Sequence, residues 1–211
     1  MTEFPQNLIS GYQTFTSQRL PTEQSRFREL SERGQSPEVM VIGCCDSRVS
    51  PEVIFDASPG ELFVVRNIAN LVPVYQPDGG AHGVSAALEY AVQVLRVKHI
   101  VVLGHAQCGG IRAFVDNAAP LSPGDFIGRW MSMFVKPGET VEIRDHETMT
   151  DFATRIEKAA VMRSLENLGT FPFVQAAIAR GELQLHGAYF GVAMGSLSVL
   201  DQDAKEFLAV R

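Results

Sequence analysis

The chain is short of several things, and each shortage narrows what it can be. It has only three cysteines, an odd number, and two of them are adjacent. That argues against a disulfide framework. Thiols kept for metal ligation suit a reducing compartment, so a cytoplasmic protein is expected. Basic residues are outnumbered, 18 against 24 acidic ones, for a net charge of −6. No basic stripe is visible, which excludes nucleic acid as an expected partner. No apolar run is long enough to span a bilayer, so no membrane association is expected. The first residues, Met1 to Gln6, lack a basic segment followed by an apolar stretch, so no secretory signal is expected. Internal repeats and low-complexity segments are missing. There is no phosphate-binding glycine motif; Gly109-Gly110 alone is a very weak one.

What is present is an ordinary core-forming composition. The chain has 211 residues, 45% hydrophobic and 20% charged, enough for one domain with a full interior. Leu8, Ile9, Tyr12 and Phe15 recur at helical spacing, and Pro21 is read as ending that helix. Phe27 to Arg33 reads as a second short helix stopped by Gly34. Three short, wholly apolar runs follow: Val39 to Ile42, Phe63 to Val65 and Ile100 to Leu103. Such runs predict strands buried on both faces, hence a parallel sheet. Val84 to Leu95 carries a helical period between the last two, giving a right-handed βαβ crossover. Helices are predicted over Asp125 to Met133, Asp145 to Leu168 and Phe171 to Arg180. A closing hairpin over Leu183 to Val192 and Ser196 to Leu200, turned at Met194-Gly195, makes one sheet edge antiparallel. The predicted class is α/β: a mostly parallel central sheet with an antiparallel edge, flanked by helices. It is read as a single domain over residues 1–211, with residues 1–34 as a helical arm.

Two of the apolar runs end in soft metal ligands. The first leads into Ile42-Gly43-Cys44-Cys45-Asp46-Ser47-Arg48, the third into Gly104-His105-Ala106-Gln107-Cys108-Gly109-Gly110. Loops at the carboxyl ends of parallel strands converge on one crevice, so Cys44 and His105 can meet there. Cys108 then begins the following helix. Two thiolates and one imidazole suit zinc, and three protein ligands leave a tetrahedral position open for water, as catalytic zinc sites do. Asp46 and Arg48 could form a plain surface ion pair. Beside a cation they have another use: Arg48 holds the carboxylate off the metal by a bidentate pair, and Asp46 accepts a hydrogen bond from whatever occupies the open position. Cys45 is read as a small buried hydrophobe, its side chain pointing away from that of Cys44. His82, His99, His146 and His186 each suit a structural role, and the sequence does not choose a proton shuttle among them.

At these motifs the chain closely resembles the β-class carbonic anhydrases. The likeness runs through Gly34-Gln35-Ser36-Pro37, the Cys44 to Arg48 loop, Pro59-Gly60-Glu61, Val64 to Asn70, Ala87 to Ala91, the His105 to Gly110 loop and Leu185-His186-Gly187. The resemblance implies reversible hydration of carbon dioxide to bicarbonate and a proton by zinc-bound hydroxide, with one zinc per subunit on Cys44, His105 and Cys108. It makes Asp46 and Arg48 the catalytic dyad. It places Gln35 as the amide meeting substrate oxygen, and Phe63, Ile68 and Tyr90 as an apolar wall shared across a dimer interface. It also implies a homodimer or dimer of dimers, the N-terminal helices wrapping the partner. Val41 and Phe190 stand where a bicarbonate-storing subtype has tryptophan and tyrosine; Arg66 fits both subtypes. With Gln35 present, the constitutively open subtype is expected. Two other readings stay open at this point: a non-catalytic zinc site capped by Asp46, and a lyase or hydrolase acting on sulfur analogues of carbon dioxide.

Overall fold

The computed structural model describes residues 4–116, 119–135 and 141–210. By internal contacts the chain divides into two compact units, Met1–Ser36 and Pro37–Arg211.

The first unit is helical almost throughout. Helix α1 (Gln6–Thr14) runs into a wider π segment (Phe15–Arg19) and then into α2 (Leu20–Arg33). Pro21 does not end the helix as expected. It sits in the first turn of α2, where a missing N–H breaks no intrahelical bond. What changes there is direction. The rings of Phe15 and Phe27 lie 5.9 Å apart, whereas twelve residues of straight helix would separate them by roughly 18 Å. The axis therefore turns between them, over the stretch that holds the π segment and Pro21, both of which commonly allow a bend. Gly34, at φ 79°, closes α2 as its sequence position predicts.

The second unit is built on a six-stranded sheet. In chain order its elements are β1 (Val39–Cys44), α3 (Pro51–Ile54), β2 (Leu62–Asn67), α4 (Gly83–Glu89) continued by a π segment (Tyr90–Leu95), and β3 (His99–His105). Then come α5 (Gly109–Val115), α6 (Phe126–Ser132), α7 (Met149–Leu168), α8 (Pro172–Ala179), β4 (Gln184–Gly191), β5 (Ser196–Asp201) and β6 (Glu206–Ala209). The strand order is β2-β1-β3-β4-β5-β6. The first four strands are parallel, and β5 and β6 continue the sheet antiparallel. This is the expected mixed architecture, with one more edge strand than the sequence suggested.

The apolar runs became strands because both faces of the sheet are covered. Met40, Ile42, Ile100 and Val102 face one apolar cluster with Leu88, Phe171 and Val174. Val41, Leu103 and Ala188 face another. Helix α7 packs so closely on β3 that a Cβ at Gly104 would lie 2.5 Å from Val161 Cγ2. Gly104→Ala is therefore expected to destabilise the fold by about 1–3 kcal/mol through overpacking, read as a lowered thermal midpoint. The same contact fixes the strand end that carries His105.

Candidate metal centre

β1 and β3 are adjacent parallel strands in register, Gly43 opposite Leu103. Their carboxyl ends therefore deliver Cys44 and His105 to one place. Cys108 caps the start of α5. The Sγ atoms of Cys44 and Cys108 are 4.0 Å apart, and the ligand atoms of Cys44, His105 and Cys108 all lie within 4.8 Å of one another. Among the described residues this is the one such cluster of three or more histidine, cysteine or acidic side chains.

Each ligand atom is aimed by its surroundings. The Asp46 and Ala69 N–H groups favour the Cys44 thiolate, and those of Gly110 and Ile111 favour the Cys108 thiolate. Ala69 takes a left-handed conformation, φ 60°. The turn that contains it is tied down by Asn67, whose side chain both donates to and accepts from the backbone of Leu71. The Trp130 indole N–H donates to the Ile68 carbonyl in the same turn. The His105 Nδ1 donates to the Ala106 carbonyl at 2.9 Å, which leaves Nε2 as the lone-pair nitrogen. That Nε2 is buried and has no hydrogen-bond partner.

The donor set fits zinc on these observations. An orphaned buried imidazole nitrogen has a large desolvation cost unless something fills it. Zinc–sulfur bonds of about 2.3 Å at a tetrahedral angle put two sulfurs about 3.8 Å apart, close to the spacing here. The neighbouring Cys108 thiol pulls the Cys44 thiol well below its ordinary range. The resulting Cys44 thiolate and burial push Cys108 up. A divalent cation removes the obstacle to both thiols losing their protons.

Beside the cluster, Arg48 grips Asp46 with both ends of its fork. Nε donates to Oδ1 at 2.9 Å and Nη2 to Oδ2 at 2.7 Å, and the Arg48 backbone N–H adds a third bond to Oδ1. These bonds hold the Asp46 carboxyl far below the usual carboxylate range. Nη2 of Arg48 also donates to the Gln107 carbonyl. Arg66 clamps the same loop, its Nε on the Cys44 carbonyl and its Nη2 on that of Asp46. The sequence reading gave Arg66 no structural role; its position one residue before Asn67, opposite Gly43, puts it within reach.

The expected substrate wall is divided. Ile68 packs with Cys44 and Cys108. Phe63 and Tyr90 pack on each other, ring centroids 5.9 Å apart. Phe63 pairs with Met40 while Asn67 pairs with Cys44, so Phe63 sits roughly 13 Å down the strand from the cluster. Gln35 lies in the first unit and is exposed. Cys45 is a correction: it is exposed, not buried. The chain leaves the sheet at Cys44, so the alternation of an extended strand no longer turns the next side chain into the core.

Two residues at the site were missed altogether. Glu157 of α7 is only 4% exposed. Its Oε1 accepts from the Cys108 N–H at 2.9 Å and its Oε2 from the Tyr189 hydroxyl at 2.6 Å. Burial pushes its carboxyl up, against those two bonds. A signal was present: Glu157, Val161, Ser164 and Leu168 recur at helical spacing on the buried face of α7.

With this geometry in hand, comparison with known proteins is specific. The family model described as carbonic anhydrase matches residues 39–197. A carbonic anhydrase of Pseudomonas aeruginosa is 35% identical over 204 residues, covering 97% of this chain and 91% of its own length. The solved structure of the β-carbonic anhydrase CcaA superposes with a TM-score of 0.87 at 29% identity, over 98% of this chain and 92% of that one. A tetrameric β-carbonic anhydrase from Sordaria macrospora gives 0.80 at 30% identity, over 93% of this chain and 96% of its own. Sequence match, sheet order and the residues gathered at the strand ends agree, and the chain belongs to the β-class carbonic anhydrases.

Proposed function

We propose that this chain catalyses the reversible hydration of carbon dioxide to bicarbonate and a proton, using one zinc ion held by Cys44, His105 and Cys108. The observation that carries the reading is the orphaned His105 Nε2, converging with two thiol sulfurs beside a carboxylate fixed by arginine. Cys44, His105 and Cys108 would hold zinc, which would acidify water and so supply a nucleophile near neutral pH. Asp46 would accept a hydrogen bond from that nucleophile and orient it. Arg48 keeps Asp46 ionised and out of the metal's fourth position, because both carboxylate oxygens already face its guanidinium. That engagement favours the open subtype and counts against a capped, non-catalytic site. Ile68 supplies apolar surface for a small apolar substrate.

The whole of residues 1–211 is taken as one catalytic domain whose first 34 residues form an arm. Gln35, Phe63 and Tyr90 complete the substrate pocket from a partner subunit. The separation of Phe63 and Tyr90 from this chain's own cluster supports that arrangement, as does the tetrameric Sordaria relative. Helix α1 has no buried residue, and Phe4, Leu8 and Tyr12 are exposed, which fits a face covered by a second copy. Removing residues 1–20 is expected to reduce the assembly to monomers in sedimentation and to cost activity with it. An unchanged, active dimer would contradict the arm's role. The free thiols suit a cytoplasmic setting.

The reading is tested by measuring carbon dioxide hydration before and after zinc is stripped with a chelator and restored. Activity should disappear and return with the metal; turnover unaffected by complete zinc removal would refute it.

A further inference from the structure

The buried carboxylate of Glu157 has no role in the chemistry above. It has no lysine or arginine partner among the described residues. A carboxylate sealed in the interior without a cation is costly unless its oxygens are hydrogen-bonded, and here both oxygens accept hydrogen bonds. Cys108 N–H and Tyr189 O–H each take one oxygen, and the Gln107 backbone N–H also favours the charged form. The carboxylate thus holds the last two residues of the metal-binding loop. Gln107 sits at φ 58°, a conformation that costs a non-glycine residue about 1–3 kcal/mol unless neighbours enforce it. Its carbonyl is the acceptor for Arg48 Nη2. A continuous line therefore runs from Tyr189 on β4, through Glu157 on α7, across the Gln107–Cys108 backbone, to Arg48 and Asp46.

We propose that Glu157 is a positioning residue of the active site: its carboxylate, aimed by Tyr189, sets the Gln107–Cys108 backbone so that Cys108 Sγ faces the metal and the Gln107 carbonyl holds Arg48. The inference rests on the zinc assignment above. It differs from plain packing because Glu157 acts through two separate outputs, metal affinity and the Arg48–Asp46 geometry.

The test is Glu157→Gln, which preserves shape and one acceptor while removing the charge and the second acceptor. Zinc affinity is read by competition with a chromophoric chelator, and kcat and KM by carbon dioxide hydration. Zinc affinity should fall about 10–100-fold, the usual effect of losing a group that orients a ligand. The kcat should fall while KM changes little. In an Arg48→Ala background the further kcat loss from Glu157→Gln should largely vanish, because the group it acts through is already gone. If Glu157→Gln fails to fold, Tyr189→Phe carries the test and should lower zinc affinity in the same direction by less. Unchanged zinc affinity in the folded variant, or a kcat loss that is undiminished without Arg48, would overturn the proposal. Failure of the unaltered protein to bind zinc in the same titration would instead overturn the metal assignment, and this inference with it.

Discussion

Cys108→Ser should leave a folded protein that has lost its zinc and its turnover together. Cys108 is 2% exposed, at the entrance to α5, and its Sγ is one of two sulfurs in the cluster. Serine is close in size, so the packing around Ile111 and Met131 should survive. A neutral hydroxyl, however, is a poor replacement for a thiolate as a zinc ligand. Carbon dioxide hydration should drop by more than about 10²-fold, since the Lewis acid leaves with the ligand. Elemental analysis and a hydration assay on one preparation check both halves. Full zinc content with normal turnover would mean that Cys108 is not a ligand.

Arg48→Ala should separate the two properties, keeping zinc but losing turnover. Arg48 touches no metal ligand side chain; its bonds go to Asp46 and to the Gln107 carbonyl. Without it the Asp46 carboxylate is free to swing and occupy the position reserved for water. A loss of about 10²-fold in kcat is expected, the scale on which misplaced catalytic groups act. Asp46→Asn should also retain zinc, yet lose the anionic acceptor that orients the nucleophile. The pH dependence follows from the same bonds. The Arg48 side chain depresses the Asp46 pKa, so the stabilisation from this pair is complete above the ordinary aspartate range near pH 4. It is lost only as pH falls through the much lower folded value. Asp46 therefore does not titrate in the working range. Activity should rise from neutral to alkaline pH as water deprotonates, with a midpoint at or above the ~7 of histidine-ligated catalytic zinc. A flat profile together with a near-normal Arg48→Ala variant would contradict this account.

The sheet could be read from the sequence because its parallel strands are buried on both faces, which forces unbroken apolar runs such as Val39 to Ile42. The three candidate ligands could be singled out because they follow two of those runs. What escaped was set by tertiary contacts. β6 is short, with Phe207 facing inward beside exposed Glu206 and Leu208, too weak an alternation to register. Pro21 looked like a terminator, because its tolerance at a first turn depends on where the preceding helix bends. Glu157 was missed because its burial follows from the close approach of α7 to β3 at Gly104. Cys45 looked like core because the strand's end, one residue earlier, is fixed by Arg66 gripping the Cys44 and Asp46 carbonyls, a contact spanning some twenty positions.

The central claim is a zinc site made by two thiolates and one imidazole. Zinc-edge X-ray absorption on the unaltered protein tests it most directly. The account predicts two sulfur neighbours at about 2.3 Å and two nitrogen or oxygen neighbours at about 2.0–2.1 Å, one of them from solvent. That light shell should keep its count in Arg48→Ala, where Asp46 replaces the solvent oxygen. A shell with no sulfur, or one with four sulfurs, would contradict it.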